Sequence, residues 1–296
     1  MKIGIVGPGA IGTFLAGILG KENEVHLFGR KALDINKIEI SGETELKVSV
    51  NYTDSVESLS DKELIIICTK SFDTADAMNS ISDHLFRGSM VLSLQNGLKN
   101  EEIISDFVGE ERTIGGITSH GVTYIEEGKV KHAGKGETVI GPYPEGRDEK
   151  VEKVCSVFNH AGMKTTLGEN ILVEIWRKAV INSGINPITA ILGVKNGVLL
   201  EDEFLTGLME DTVLESAEVA KKYVDLDKEK VLKETKKVAE RTSDNLSSML
   251  QDIKNEKRTE VEQINGAIIE KAATEEEIRV NKVLYRLVKG LQNRYL

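Results

Sequence analysis

The sequence predicts an α/β fold, a doubly wound parallel sheet at the N-terminus followed by an all-helical C-terminal domain. Three observations carry that prediction. Short runs rich in β-branched residues alternate with helical patterns through the first half of the chain. A glycine-rich turn separates the first of these runs from the first helical pattern. Beyond about Gly168 only Pro187 remains of the prolines, and charges recur at helical spacing.

The elements follow in order. Lys2–Val6 (KIGIV), Glu24–Phe28 (EVHLF), Glu63–Thr69 (ELIIICT) and Met90–Leu94 (MVLSL) read as strands. Their apolar runs are near-continuous, the pattern of parallel strands covered on both faces. Helical stretches at Ile11–Leu19 and Phe72–Leu85 lie between them, with a less regular connection after Arg30. The stretch GKVKHAGKGETVIGPYP reads as a glycine-rich hairpin. EDEFLTGLMEDTVLESAEVAKKYV and SSMLQDIKNEKRTEVEQINGAIIEKAA then read as helices of a second domain. The expected domains are residues 1–168 and 169–296.

Composition narrows the function. A chain of 296 residues with 40% hydrophobic and 29% charged residues fits a soluble globular protein of two domains. A net charge of −10 argues against nucleic acid or an anionic membrane as partner, since both reward a basic surface. Two cysteines cannot build a disulfide framework, which favours a reducing compartment and reads Cys68 and Cys155 as packing residues. The five histidines lack ligand spacing, so no metal is expected. The opening apolar run carries too many glycines for a signal helix, and the cytoplasm is the expected location.

That run is better explained as a cofactor cradle. Gly7, Gly9 and Gly12 form G-x-G-x-x-G directly after the first strand, with Pro8, Ala10 and Ile11 between them. The first glycine allows the tight turn, the second lets backbone approach a pyrophosphate, and the third lets helix and strand pack closely. The helix N-terminus then faces the negative charge. The fold class is therefore Rossmann-type. At the end of the second strand, where an NAD site usually carries an acid, the chain has Arg30. A guanidinium can bind a 2′-phosphate bidentately, so the expected cofactor is NADP(H).

Polar residues in apolar settings mark the rest of the site. Lys70 and Asn96 follow the third and fourth strands, at the carboxyl edge where ligands of such sheets bind. Lys178, Asn182 and Asn186 recur every four residues in the otherwise apolar stretch EIWRKAVINSGINPITAILGVKNG, with Asn196 beyond them. That spacing puts the first three on one helix face, near which Pro187 should kink or end the helix. Ser248 and Gln251 have capping-box spacing. Glu260 falls in line with Ile253, Ile264 and Ala267, on the apolar stripe of a helix, where a carboxylate needs a cation or a hydrogen-bonded ligand.

GPGAIG, CTKSFDT, LQNGL, HAGKGETVIGP, EIWRKAVINSGINPITA, KNG, NLSSMLQDI and RTEVEQINGAII occur in an order that resembles the ketopantoate reductase (2-dehydropantoate 2-reductase) family over essentially the whole chain. The resemblance implies NADPH-dependent reduction of 2-dehydropantoate to (R)-pantoate, on the route to pantothenate and coenzyme A. It places the catalytic residues at Lys178, the lysine, and Glu260, an acidic residue near cofactor and substrate. Substrate contacts would involve Asn96, Lys178, Asn182, Asn186, Asn196 and the carboxylate-holding segment Asn245, Ser247 and Ser248. Cofactor contacts would involve Gly7–Gly12, Arg30, Lys70, Asn96, Glu260 and Val122. Family members dimerise or remain monomeric, so a homodimer is one expected assembly. Two alternatives stand beside this reading. One is a related NADP-dependent dehydrogenase acting on another 2-oxo or 3-hydroxy acid, and the other is a protein that senses NADP without turnover.

Overall fold

An eight-stranded sheet is the frame of the first half of the chain in the computed structural model, which describes residues 1–296. The strands in chain order are β1 (Lys2–Val6), β2 (Glu24–Phe28), β3 (Lys37–Gly42), β4 (Leu46–Ser49), β5 (Asn51–Thr53) and β6 (Leu64–Ile67). They continue with β7 (Met90–Ser93), β8 (Thr113–Thr118), β9 (Gly121–Glu126), β10 (Lys129–Gly134), β11 (Thr138–Pro142) and β12 (Thr165–Leu167). The large sheet runs β12-β11-β8-β7-β6-β1-β2-β5, parallel throughout except where β11 pairs antiparallel with β8. Chain order reverses at β1, which has β2 on one side and β6 on the other. Such a reversal opens a crevice at the carboxyl ends of the strands.

Both faces of the sheet are covered, as the unbroken apolar runs require. Ile3, Ile5, Leu64, Ile66 and Leu92 face one core with Phe14, Leu15 and Leu19 of helix α1 (Ala10–Leu19) and Val151, Val154 and Phe158 of α4 (Glu149–His160). Ile65, Ile67 and Val91 point the other way, against Ala77, Met78 and Ile81 of α2 (Thr74–Ile81) and Ile104 and Val108 of α3 (Asn100–Val108). Period-two alternation thus feeds two cores from one strand.

Two readings of this half need correction. The segment GKVKHAGKGETVIGPYP is not a hairpin, because its two strands belong to different sheets. Val130 of β10 pairs with Ile40 and Tyr124 in a four-stranded sheet, β4-β3-β10-β9, whereas Ile140 of β11 pairs with Gly116 and Leu167 in the large one. Four residues after β10 the chain has changed sheets, with Ser119 N–H donating to Glu137 C=O at 2.9 Å on arrival. The connection after Arg30 likewise contains β3 and β4, whose half-exposed alternation is weaker than that of the buried strands.

By contact the chain divides into two units, Met1–Gln95 with Asn100–Glu174, and Asn96–Lys99 with Ile175–Leu296. The second unit is helical, with most of α5 (Ile171–Leu192), then α6 (Glu203–Ala220), α7 (Lys228–Arg241), α8 (Ser248–Lys254), α9 (Ala267–Lys271) and α10 (Arg279–Gln292). Asp202 and Asp227 cap α6 and α7 by accepting backbone N–H bonds from the first turn. No helix is long and apolar enough to cross a membrane.

Here too the sequence reading needs adjustment. The cap of α8 is Ser247, whose hydroxyl accepts from Leu250 N–H at 3.1 Å, while Gln251 donates to Leu246 C=O and closes no capping box with Ser248. Glu260 does not share a helix with Ile253. The chain leaves α8 at Lys254, passes Glu256 at φ +53°, and re-enters helical structure just after Glu260, through a π-helical turn at Glu262–Gly266. π-turns concentrate at functional sites.

Pro187 does not end α5, which runs five residues further to Leu192. Proline has no N–H for the carbonyl four residues back, that of Ser183. Asn265 supplies the missing donor, its Nδ2 lying 3.2 Å from that oxygen. The same amide donates to Asn281 Oδ1 at 2.9 Å, and Asn281 donates to Thr212 C=O and to Glu215. One buried network therefore ties α5, α6, α10 and the π-turn. Asn265→Leu should leave the Ser183 carbonyl without its side-chain donor at a cost of about 1–3 kcal/mol, while Asn281 Oδ1 keeps the bond from Ser216. A lowered denaturant midpoint at unchanged slope is the expected result, and an unshifted midpoint would show the network to be dispensable.

Candidate active site

The cradle at the start of α1 is shaped by glycine. Gly7 adopts φ +107° while its N–H donates to Phe28 C=O at 2.9 Å, bringing the turn alongside the end of β2. A Cβ on Gly12 would lie 2.0 Å from the Gly7 carbonyl oxygen, so the helix can lie this close only with hydrogen there. Gly9 is exposed, and a Cβ on it would meet nothing within 4 Å. It is also the N-cap of α1, with no side-chain cap and no acid in the first turn. Backbone N–H groups with open space before them suit a pyrophosphate. Pro8, Ala10 and Ile11 are half-buried around this opening, so the residues present fit a dinucleotide.

The neighbouring loops are held by side chains. Gln95, just past β7, donates through Nε2 to Thr69 C=O and to the hydroxyls of Thr69 and Thr74, at 2.8 to 3.1 Å. Lys70 caps a short 3-10 turn, Ser71–Asp73. Arg30, exposed after β2, sits 3.6 Å from the Asp73 carboxylate. An exposed pair at that distance is worth only about 0–1 kcal/mol, so a phosphate dianion can take the guanidinium from it. Cys68 packs near Gly12, and burial pushes its thiol well up, which makes it a packing residue.

Val122, half-buried on β9, pairs across strands with His132. The sequence reading passed over what stands beside it. His132 Nε2 and His120 Nδ1 are 3.0 Å apart, Thr44 Oγ1 lies 2.9 Å from His132 Nδ1, and Phe14 of α1 packs on both rings. Gly136 N–H donates to His120 Nδ1, so that nitrogen is an acceptor and His132 Nε2 must carry the donated proton. His120 is therefore neutral. Burial, then His132, push His120 down to about 4. Twelve residues of sequence separate the pair, and only the β9–β10 turn brings them together, so their spacing gives no signal.

In the second unit Asn96 Nδ2 donates to Glu260 Oε2 at 3.1 Å, and Leu98 N–H donates to Gln263 C=O at 2.9 Å. The loop after β7 is thereby pinned to the π-turn, and Glu260, 5% exposed, gains a donor for its buried carboxylate. Lys178, Asn182 and Asn186 share one unbroken helix, α5, with the first two half-buried and Asn186 buried. Ser247 meets the same helix, taking a hydrogen bond from Thr189 at 2.7 Å in addition to its cap. Asn196 N–H donates to Asn245 C=O at 3.0 Å, which unites two more of the expected positions. Asn245 and Ser248 are exposed, the one before and the other after the cap.

A phosphate cradle at the carboxyl edge of a doubly wound sheet, in a chain whose helical unit carries a lysine–asparagine row, defines a dinucleotide-dependent oxidoreductase of two units. More narrowly, the chain belongs to the ketopantoate reductase family. Models described as Ketopantoate reductase PanE/ApbA and Ketopantoate reductase PanE/ApbA C terminal match residues 3–145 and 170–292. The 2-dehydropantoate 2-reductase of Pyrococcus horikoshii is 42% identical over 302 aligned residues, covering 99% of this chain and 98% of that protein. That of Archaeoglobus fulgidus is 33% identical over 99% of this chain and 98% of its own. Among solved structures, a family ketopantoate reductase from Ralstonia eutropha JMP134 has a TM-score of 0.89 at 26% identity, covering 100% of this chain and 99% of the other. A ternary structure of D-mandelate dehydrogenase with NADH and anilino(oxo)acetate gives the same TM-score, identity and coverage.

The histidine pair makes stability depend on pH. His120 is depressed to about 4 in the folded protein from an ordinary 6.5, so its contribution is complete above 6.5 and is lost as pH falls toward 4. His132, also lowered by burial, acts in the same direction. Denaturation midpoints should fall through this window, and His120→Gln should flatten the slope. An unchanged slope in that variant would assign the acid sensitivity elsewhere.

Proposed function

We propose that this chain reduces 2-dehydropantoate to (R)-pantoate with NADPH, as a cytoplasmic enzyme on the way to pantothenate. The observation that carries the reading is full-length likeness to named 2-dehydropantoate 2-reductases together with an intact Lys178–Asn182–Asn186 row on one helix. Bound in the cradle, the nicotinamide cofactor supplies a hydride. The chain's own residues do the rest.

Backbone N–H groups of the Gly7–Gly12 turn would hold the pyrophosphate, Arg30 and Lys70 would supply positive charge for the phosphates, and Val122 would give the cofactor an apolar neighbour. Lys178 carries a proton on Nζ and donates it to the ketone oxygen as negative charge develops there. Asn182, Asn186 and Asn196 orient the substrate, and the exposed polar groups of Asn245 and Ser248 receive its carboxylate. Ser247, whose hydroxyl already serves Leu250 and Thr189, contributes by fixing that segment. Glu260 holds Asn96 by the bond described above and so sets which way that amide faces.

The likeness to D-mandelate dehydrogenase favours one second reading, a reductase for a different 2-oxo acid on the same scaffold. Purified protein should oxidise NADPH only when a 2-oxo acid is added, and 2-dehydropantoate should give the highest kcat/KM in a panel. Lys178→Ala should lower kcat by roughly 10²–10⁴ while NADPH still binds, since a lost general acid costs about that factor. Near-normal turnover would remove Lys178 as the acid. Arg30→Ala should raise the KM for NADPH roughly 10–100-fold, the loss of charged hydrogen bonds worth about 1.5–3 kcal/mol, and leave NADH little changed. Equal losses for both cofactors would show that Arg30 does not read the 2′-phosphate.

A further inference from the structure

We propose that Thr242 is a positioning residue that fixes the Asn196 carboxamide with its oxygen held as an unpaired acceptor, so that the site selects a substrate hydroxyl over a methyl group at that point. The inference rests on the reading of Asn196 as a substrate-binding amide.

An asparagine side chain offers two donors on one side and an acceptor on the other, and which side faces a ligand must be set by its neighbours. Asn196 Nδ2 donates to Thr242 Oγ1 at 2.9 Å. The threonine cannot reverse this bond, because its own proton goes to Val238 C=O at 2.7 Å. Turning the amide over would set two acceptors face to face. Asn196 Oδ1 is thereby held in one orientation, and it is a buried oxygen with no hydrogen-bond partner in a residue only 7% exposed. A buried acceptor without a donor is costly, and an O–H from a ligand removes that cost while a methyl group cannot.

The backbone makes the arrangement rigid. Asn196 N–H and Gly197 N–H donate to the carbonyls of Asn245 and Ser243. A Cβ on Gly197 would fall 2.7 Å from Ser243 Cβ, so the two segments touch only because residue 197 is glycine. Asn245 N–H in turn donates to Thr242 C=O at 2.8 Å. The turn that aims the amide therefore also leads into Asn245–Ser248, and fixes the spacing between a hydroxyl acceptor and a carboxylate anchor. 2-Dehydropantoate carries a carboxylate at one end and a hydroxymethyl group at the other.

The test compares Thr242→Val, which keeps the shape and removes the oxygen, with Thr242→Ser, which keeps the oxygen. Each is assayed on 2-dehydropantoate and on 3,3-dimethyl-2-oxobutanoate, which lacks the hydroxyl. Thr242→Val should raise KM for the hydroxylated acid about tenfold with kcat little changed, leave the deoxy acid unaffected, and so shrink the preference between them. Thr242→Ser should restore it. Equal losses on both acids, no loss on either, or failure of serine to rescue a folded variant would overturn the proposal. A second readout needs no turnover. The Asn196 side-chain NH₂ should be protected from hydrogen exchange in the unmodified protein and in Thr242→Ser, and lose that protection in Thr242→Val. Unchanged protection in the valine variant would also overturn the role of Thr242, whereas a wild-type protein that ignores 2-dehydropantoate would instead sink the functional reading.

Discussion

The first unit depends on how closely helix α1 lies against its surroundings. Gly12 brings the helix onto the carbonyl of Gly7 and beside Cys68, a distance no side chain would allow. One turn further, Gly17 admits Ile38 and Ile40, which is how the small sheet packs onto the same helix. Between them Phe14 covers the two histidines. One ten-residue helix thus opens its N-terminus onto the glycine turn while its body joins both sheets to the core. Packing at the density of protein interiors leaves no slack along such a helix, so the phosphate cradle inherits its geometry from the core.

The helical unit solves a different problem, that of burying polar groups. Its interior holds Ser183, Thr212, Ser216, Asn265 and Asn281, all essentially without exposure. These residues bond one another and the backbone, including the carbonyl that Pro187 leaves unserved. The lysine–asparagine row lies on the same helix as this network, so the row is aimed from a helix whose orientation is already specified. The network is not fully bonded, since Asn265 Oδ1 is buried without a partner, but the amide's two donors are both used, which fixes which way it faces.

How far the sequence could be read follows from the range of the interactions involved. Strands β1, β2, β6 and β7 were legible because burial on both faces writes a continuous apolar run, and the turn before α1 was legible because its glycines answer to contacts a few residues away. The row on α5 was legible from spacing alone. By contrast, β10 and β11 looked like a hairpin because adjacency in the chain cannot say to which sheet a strand belongs. The stripe through Ile253 and Ile264 suggested one helix, but the break at Asn255–Thr259 carries no proline or glycine to announce it. Thr242 gave no signal either. Its importance lies in where its one proton goes, and that is a matter of a partner, the carbonyl of Val238, and not of composition.

The placement of Asn96–Lys99 bears on how this polypeptide can be cut, shuffled or inherited. Gln95 is fastened into the sheet unit by three bonds from one amide, yet the next four residues belong to the helical unit, where Leu98 meets Gln263 and Asn96 meets Glu260. The helical unit is accordingly not a continuous tail of the gene. A fragment beginning after Gly168 would lack a piece of its own fold, and with it the bonds that Asn96 gives Glu260 and Leu98 gives the π-turn carbonyl of Gln263. Recombination at the apparent junction would therefore exchange less than a module, and the two halves are bound to evolve as one reading frame.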